Sequence, residues 1–174
     1  MKTVFFDIDT QIDFVLPAGA LYAPGAETIL PAVAELNRRA PLVISTMDAH
    51  SEDDPEFRVY PHHCVVGTVG QQKPASTLLN DRVRQVFLEK QKLDCFSSPA
   101  LEPLLRELDA ERYVVYGVVT ELCVKCAAFG LLKTGRRVEI VTDAVKALDE
   151  GQARAMLAEF TAAGGFLVTV GQVA

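Results

Sequence analysis

The chain has 174 residues, of which 49% are hydrophobic and 23% charged, and its net charge is −6. This composition excludes a disordered chain, a collagen and a coiled coil, and it predicts a single globular domain over 1–174. The acidic balance argues against nucleic acid as a partner, and no apolar run is long enough for a transmembrane helix or a signal peptide, so we expect no membrane partner. We therefore expect a cytoplasmic protein whose four cysteines are free thiols, metal ligands or a nucleophile rather than disulfides.

Hydrophobic periodicity predicts strands that alternate with helices. Strands are predicted over Val4–Asp9, Leu42–Thr46, Val86–Glu89, Tyr113–Val119, Val138–Val141 and Phe166–Val170. Helices are predicted over Ile29–Arg39, Pro99–Leu108, Glu121–Lys133 and Glu150–Ala163. Loops are predicted over residues 10–26 and over 48–75, which hold all three histidines. The alternation predicts an α/β fold, a Rossmann-like three-layer α/β/α sandwich with a mostly parallel sheet of about six strands.

Polar side chains follow most of these strands. Because ligands of open α/β sheets bind beyond the carboxyl ends of the strands, these side chains are candidates for a site. They are Asp7, Asp9, Asp13, Asp48, His50, Lys90, Thr120, Cys123 and Asp143. A carboxylate, a lysine and a cysteine among them form a chemically coherent set.

Cys123 is a candidate nucleophile because it lies where a predicted strand passes into a helix. The N–H groups and the dipole at a helix N-terminus lower the pKa of a thiol and can hold an oxyanion. The alternative is a small buried residue on an amphipathic helix. Cys123 and Cys126 also form a C-x-x-C, which is compatible with a redox pair or half of a metal site, although Cys126 fits equally well as a packed helix residue.

The loop over residues 48–64 carries a second cluster, Asp48, His50, Glu56 and His63. Carboxylates and imidazoles together suit Zn, Fe or Mn. Asp48 and His50 are two residues apart, so an extended segment turns both to one side and lets them face one ion. The alternative is a set of solvated polar loop residues.

Four segments, taken together and in order, resemble the isochorismatase-like cysteine hydrolases. They are Asp9-Thr10-Gln11-Ile12-Asp13-Phe14, Lys90-Gln91-Lys92-Leu93-Asp94-Cys95-Phe96, Gly117-Val118-Val119-Thr120-Glu121-Leu122-Cys123-Val124 and Asp143-Ala144. Within that family the chain is most similar to the nicotinamidase/pyrazinamidase branch, which carries a D-x-H…H metal site. Asp48, His50 and His63 match that site, and Glu56 stands where the branch has its fourth ligand.

The resemblance implies an Asp-Lys-Cys triad that hydrolyses a small amide, foremost nicotinamide to nicotinate and ammonia. Asp9 would be the general base, Lys90 would keep Asp9 ionised, and Cys123 would attack the carbonyl carbon. The backbone N–H groups of Val119 and Cys123 would form the oxyanion hole beside a cis Val118–Val119 bond. Phe14, Tyr60 and Val118 would bind substrate. Asp48, His50, Glu56 and His63 would hold a divalent metal, Zn foremost with Fe or Mn as alternatives, and the family often forms homo-oligomers.

Several alternatives stay open at this point. Lys92 takes the place of Lys90 if the match shifts by two residues, and no family segment matches residues 67–81. The substrate could instead be another small amide, a carbamoyl compound or a vinyl ether. Because fold does not imply function, a catalytically inactive binding protein on the same fold is a further alternative.

Overall fold

The computed structural model describes residues 1–81 and 83–173. Its centre is one six-stranded sheet in which every pairing is parallel. The strands are β1 (Thr3–Ile8), β2 (Val43–Asp48), β3 (Gln85–Lys90), β4 (Arg112–Val118), β5 (Arg137–Lys146) and β6 (Phe166–Val168). The helices are α1 (Ile12–Val15), α2 (Leu30–Arg39), α3 (Leu101–Leu108), α4 (Lys125–Leu132) and α5 (Glu150–Ala162). The predicted α/β class and the six strands are confirmed.

Helices cover both faces of the sheet. One apolar core lies between the sheet and helices α3, α4 and α5, and a second lies between the sheet and helices α1 and α2. Adjacent residues of β1 point to opposite cores, with Phe6 in the first and Phe5 in the second, as the period of a strand requires. Burial on both faces explains why the strands are almost continuously apolar. No described helix combines the length and the apolar character that crossing a bilayer needs.

The strand order is β3-β2-β1-β4-β5-β6, so the chain moves outward from β1 in one direction and then returns to start again at β4. The boundary between β1 and β4 is therefore the topological switch point, where loops from adjacent strands diverge and leave a crevice. Asp9 directly follows β1, and Cys123 lies five residues beyond β4. The topology thus places residues that are distant in sequence at one edge of the sheet.

Several predicted boundaries are wrong. The predicted loop over residues 10–26 contains the one-turn helix α1, which is held by burial of Phe14 and Val15 rather than by propensity. The predicted helix from Glu121 begins as a π-helical turn, Thr120–Val124, before α4. Strand β5 continues through Asp143 to Lys146, and its register with β4 shifts between Val115 and Gly117. Asp143 accepts a hydrogen bond from the Val170 N–H at 2.8 Å instead of joining the other candidate residues.

Candidate active site

Asp9 is a buried carboxylate at the carboxyl end of β1. Its backbone has a φ of 48°, and its Oδ1 accepts a hydrogen bond from the Thr46 hydroxyl at 2.6 Å. Its Oδ2 lies 2.8 Å from Lys90 Nζ and takes part in no hydrogen bond of good geometry. Burial raises the pKa of Asp9, and the Lys90 ammonium opposes this shift. Asp9 therefore has one oxygen held in place and one that remains able to accept a proton.

Lys90 ends β3 and is completely enclosed. Its ammonium contacts carboxylate oxygens of both Asp9 and Asp48 and lies 3.8 Å from Cys123 Sγ. Burial opposes the charge, but the negative groups around it outweigh burial and raise the pKa of Lys90 well above its ordinary value. Lys92 is exposed, so the structure brings Lys90 rather than Lys92 to Asp9 and Cys123.

Cys123 lies in the π-helical turn that follows β4, and its side chain is buried. Burial raises the pKa of the thiol, and the positive charge of Lys90 opposes that shift. Single π-helical turns are often found at functional sites. The thiol therefore lies protonated beside a carboxylate that can accept its proton and a cation that can stabilise the resulting thiolate.

The approach of β4 to β1 depends on Gly117. Its φ is 116°, and a Cβ atom added there would lie 2.1 Å from the carbonyl oxygen of Ile8. Only glycine allows this backbone conformation and this distance. The peptide bond between Val118 and Val119 is cis, as the family resemblance implies. Both valines line the cavity beside Cys123.

Asp48, His50 and His63 form the centre of a possible metal site, because their potential ligand atoms all lie within 4.8 Å of one another. Glu56 Oε1 lies 3.9 Å from His63 Nε2, which brings the fourth predicted ligand to the same place. His50 Nε2 is buried without a hydrogen-bond partner, which is costly unless something else binds it. Asp48 raises the pKa of His50 to about 9, so a metal ion there would compete with a proton. The donor set and the orphaned nitrogen fit a divalent metal.

A small cavity of about 70 Å³ joins the two clusters. Its charged and polar lining residues are Asp9, Asp48, Glu56, His63 and Cys123, and its aromatic and aliphatic lining residues are Phe14, Leu21, Tyr60, Leu93, Val118, Val119, Leu122 and Leu148. Every predicted substrate-binding residue is among them. His50 and Lys90 lie against lining residues rather than on the cavity surface. The remaining lining residues, four leucines, have no chemical signature in the sequence and were not predicted.

Gln11 supports the site, although the sequence predicts no role for it. Its side-chain amide donates to the carbonyl oxygens of Asp48 and Gln71, both at 2.8 Å. Its amide oxygen accepts the Asp48 N–H at 2.7 Å. Gln11 therefore fixes the end of β2, where Asp48 turns toward both Lys90 and the histidines. The only sequence signal for it is its place in the first family motif.

Comparison with known proteins gives a consistent result. The sequence model of the isochorismatase domain family matches residues 3–172. A nicotinamidase of Acinetobacter baylyi is 25% identical in an alignment of 174 positions, gaps included, that covers 82% of this chain and 80% of that protein. The pyrazinamidase of Pyrococcus horikoshii, solved in complex with zinc, is 30% identical with a TM-score of 0.89, covering 97% and 99% of the two chains. The PnC1 protein of L. infantum, solved in complex with nicotinate, is 28% identical with a TM-score of 0.90, covering 99% and 94%.

Proposed function

Since the chain belongs to the isochorismatase family, we propose that it is a nicotinamidase-like amidohydrolase, cleaving nicotinamide or a closely similar small amide to a carboxylic acid and ammonia. The observation that carries this proposal is that Asp9 and Cys123 line the same cavity as Asp48 and His63, with Lys90 in contact with Asp9 and 3.8 Å from Cys123 Sγ. The names of the relatives support the reaction class, since one is a nicotinamidase and another binds nicotinate.

Acylation begins with transfer of the Cys123 thiol proton to Asp9 Oδ2, the oxygen that has no hydrogen-bond partner. Lys90, 3.8 Å from Sγ, stabilises the thiolate. The sulfur attacks the amide carbonyl carbon, and the N–H groups of Val119 and Cys123 receive the oxyanion. Asp9 then returns the proton to the leaving nitrogen, ammonia departs, and the acyl group remains on Cys123 as a thioester.

Deacylation uses the same groups, with a water molecule as the nucleophile and the Cys123 sulfur as the leaving group. Asp9 takes a proton from a water molecule, which attacks the thioester carbonyl carbon. The tetrahedral intermediate collapses, the carboxylic acid leaves, and the sulfur regains the proton from Asp9. One carboxylate therefore acts first as base and then as acid in each of the two stages, and Lys90 keeps a positive charge beside it throughout.

Asp48, His50, Glu56 and His63 would hold a divalent ion, Zn foremost, with Fe or Mn as alternatives. When bound, the ion supplies a Lewis acid that holds a ring nitrogen or a water molecule. Phe14, Tyr60 and Val118 form apolar surfaces for a flat ring. The zinc in the Pyrococcus horikoshii pyrazinamidase supports this proposal.

The lining favours an uncharged amide over a substrate that carries a carboxylate. It includes the carboxylates of Asp9, Asp48 and Glu56, and its described residues include no lysine or arginine. The Lys90 ammonium and a bound divalent ion would together only balance these three carboxylates, so no positive charge would be left over for an anionic substrate. This charge pattern makes a neutral heteroaromatic amide a better substrate than an acidic carbamoyl compound or an acidic vinyl ether.

The test is ammonia release from nicotinamide by the purified protein, with its metal content measured. We expect turnover with about one metal ion per chain, loss of several orders of magnitude in Cys123→Ala, and wild-type turnover in Cys126→Ser. Retention of turnover by Cys123→Ala would contradict the covalent mechanism. Loss in Cys126→Ser would instead favour a redox C-x-x-C. No release from nicotinamide, with metal bound and Cys123 reactive, would keep the hydrolase and reject this substrate.

A further inference from the structure

Asp54 contacts two of the four proposed metal ligands without belonging to the central cluster. Its Oδ2 lies 2.9 Å from His50 Nδ1, and its Oδ1 accepts a hydrogen bond from the Glu56 backbone N–H at 2.9 Å. Its side chain is 11% exposed, in a loop where the adjacent Asp53 is exposed. A single carboxylate thus bridges the side chain of one ligand and the backbone of another.

The contact with His50 fixes the proton on its imidazole ring. Because an ionised carboxylate can only accept hydrogen bonds, Nδ1 must carry a proton, so Nε2 is the nitrogen left to bind a metal ion in exchange for its own proton. That Nε2 is the buried nitrogen without a partner, and it lies 3.8 Å from Asp48 Oδ2. His63 shows the same arrangement with a different acceptor, since its Nδ1 lies 2.8 Å from the Pro61 carbonyl oxygen. Both rings therefore direct Nε2 toward the same place.

The contact with Glu56 sets the position of the fourth ligand. Asp54 is the N-cap of a one-turn 3-10 helix, Pro55–Arg58, which has Pro at its first position. Such a short turn has little stability of its own, so the hydrogen bond to Asp54 fixes the position of the Glu56 backbone. From that position Glu56 Oε1 reaches within 3.9 Å of His63 Nε2.

We propose that Asp54 is a positioning residue of the metal site, which holds the His50 ring with Nε2 directed toward the ion and places Glu56, without binding the ion itself. This inference rests on the metal site of the proposed function and adds a residue to it. Partners of this kind around metal-binding histidines change metal affinity by about 10–100-fold when they are removed.

The experiment measures Zn²⁺ affinity by competition with a chromophoric chelator for the wild type and four variants. Asp54→Ala removes both contacts, and Asp54→Asn keeps one acceptor oxygen but cannot accept from both N–H groups. Asp53→Ala removes the same charge from the adjacent exposed position and serves as the matched control. His50→Ala removes a proposed ligand and gives the residual Zn²⁺ affinity of a protein that lacks one ligand of the site. Thermal unfolding of each metal-free variant identifies a loss of folding, and in that event Asp54→Asn carries the test.

We expect Asp53→Ala to bind like the wild type, Asp54→Asn to be weaker, and Asp54→Ala to be about 10–100-fold weaker but still above His50→Ala. Alkylation of Cys123 in the metal-free protein should be the same in wild type and Asp54→Ala. Wild-type affinity in Asp54→Ala would overturn the positioning role alone. Affinity as low in Asp54→Asn as in His50→Ala would make Asp54 a ligand and also overturn it. Absence of Zn²⁺ binding by the wild type would reject the metal site and this inference together, whereas turnover of nicotinamide is measured separately.

Discussion

Removal of the Lys90 ammonium should suppress the reactivity of Cys123. In Lys90→Met the stem of the side chain is kept and the charge is lost from a position 3.8 Å from Sγ. At an effective dielectric constant of about 20, a unit charge at that distance stabilises a thiolate by about 4 kcal/mol. Because about 1.4 kcal/mol corresponds to a factor of ten, the thiolate fraction at neutral pH should fall about a thousandfold. The loss also leaves Asp9 and Asp48 without their shared cation, which adds to the effect.

The assay is the rate of alkylation of Cys123 by iodoacetamide between pH 6 and about 9, where thiolates begin to form. Mass spectrometry of peptides separates Cys123 from Cys126, which is partly exposed. Lys92→Met is the matched control because Lys92 is an exposed lysine two residues further along the chain. Circular dichroism establishes that both variants are folded.

We expect the rate for Lys92→Met to equal that of the wild type and the rate for Lys90→Met to fall by about three orders of magnitude at pH 7. A folded Lys90→Met protein whose Cys123 reacts at the wild-type rate would refute the reasoning, since the cation would then make no difference to the thiolate. In the wild type the rate should still rise with pH, because burial raises the pKa of the thiol.

Two further predictions concern stability. Lys73 forms a fully enclosed ion pair with Asp7 at 2.8 Å. Lys73→Met should lower the free energy of unfolding, measured in urea, by about 3–5 kcal/mol because it leaves a buried carboxylate without its cation. The double variant with Asp7→Asn should recover most of this loss, and an equal loss in the single and double variants would contradict this account. Burial opposes ionisation of Glu139, but Arg112 and Arg137 outweigh it and hold its pKa below the ordinary 4.5. The stabilisation by ionised Glu139 is therefore present above that pH and lost as the pH falls through the lowered pKa. Glu139→Gln should therefore lower the free energy of unfolding at pH 7 and change it little in acid, and a difference from wild type independent of pH would refute this account.

The sheet, and the position of the candidate residues at its carboxyl edge, could be predicted from the sequence. Strands buried on both faces leave continuous apolar runs, and polar residues directly after such runs mark the carboxyl edge. Asp9, Lys90 and Cys123 could therefore be assigned to one edge of the sheet before any coordinates were known. Their order around the switch point could not, because the apolar pattern gives no information about which strands are neighbours.

Contacts made by single turns could not be predicted. The helix α1 and the 3-10 turn Pro55–Arg58 are too short to produce a periodic pattern, and both are held by tertiary contacts. Lys73 lies in the segment that resembles no family motif, yet its side chain is as buried as that of Lys90. A lysine in a polar loop gives no sign in the sequence that its charge will be enclosed, because only the fold brings Asp7 to it.

Asp48 connects the proposed triad to the proposed metal site. One of its oxygens contacts Lys90, and the other lies 3.8 Å from His50 Nε2. The Lys90 ammonium is thus shared between Asp48 and Asp9, and any change in the charge that Asp48 faces at the histidines changes how strongly Lys90 is held by Asp9. A cation bound at the histidines would attract the Asp48 carboxylate and weaken its interaction with Lys90. The Lys90 ammonium would then interact more strongly with Asp9 and Cys123. The two clusters therefore form one electrostatic unit, so that metal removal should affect thiol reactivity as well as substrate binding.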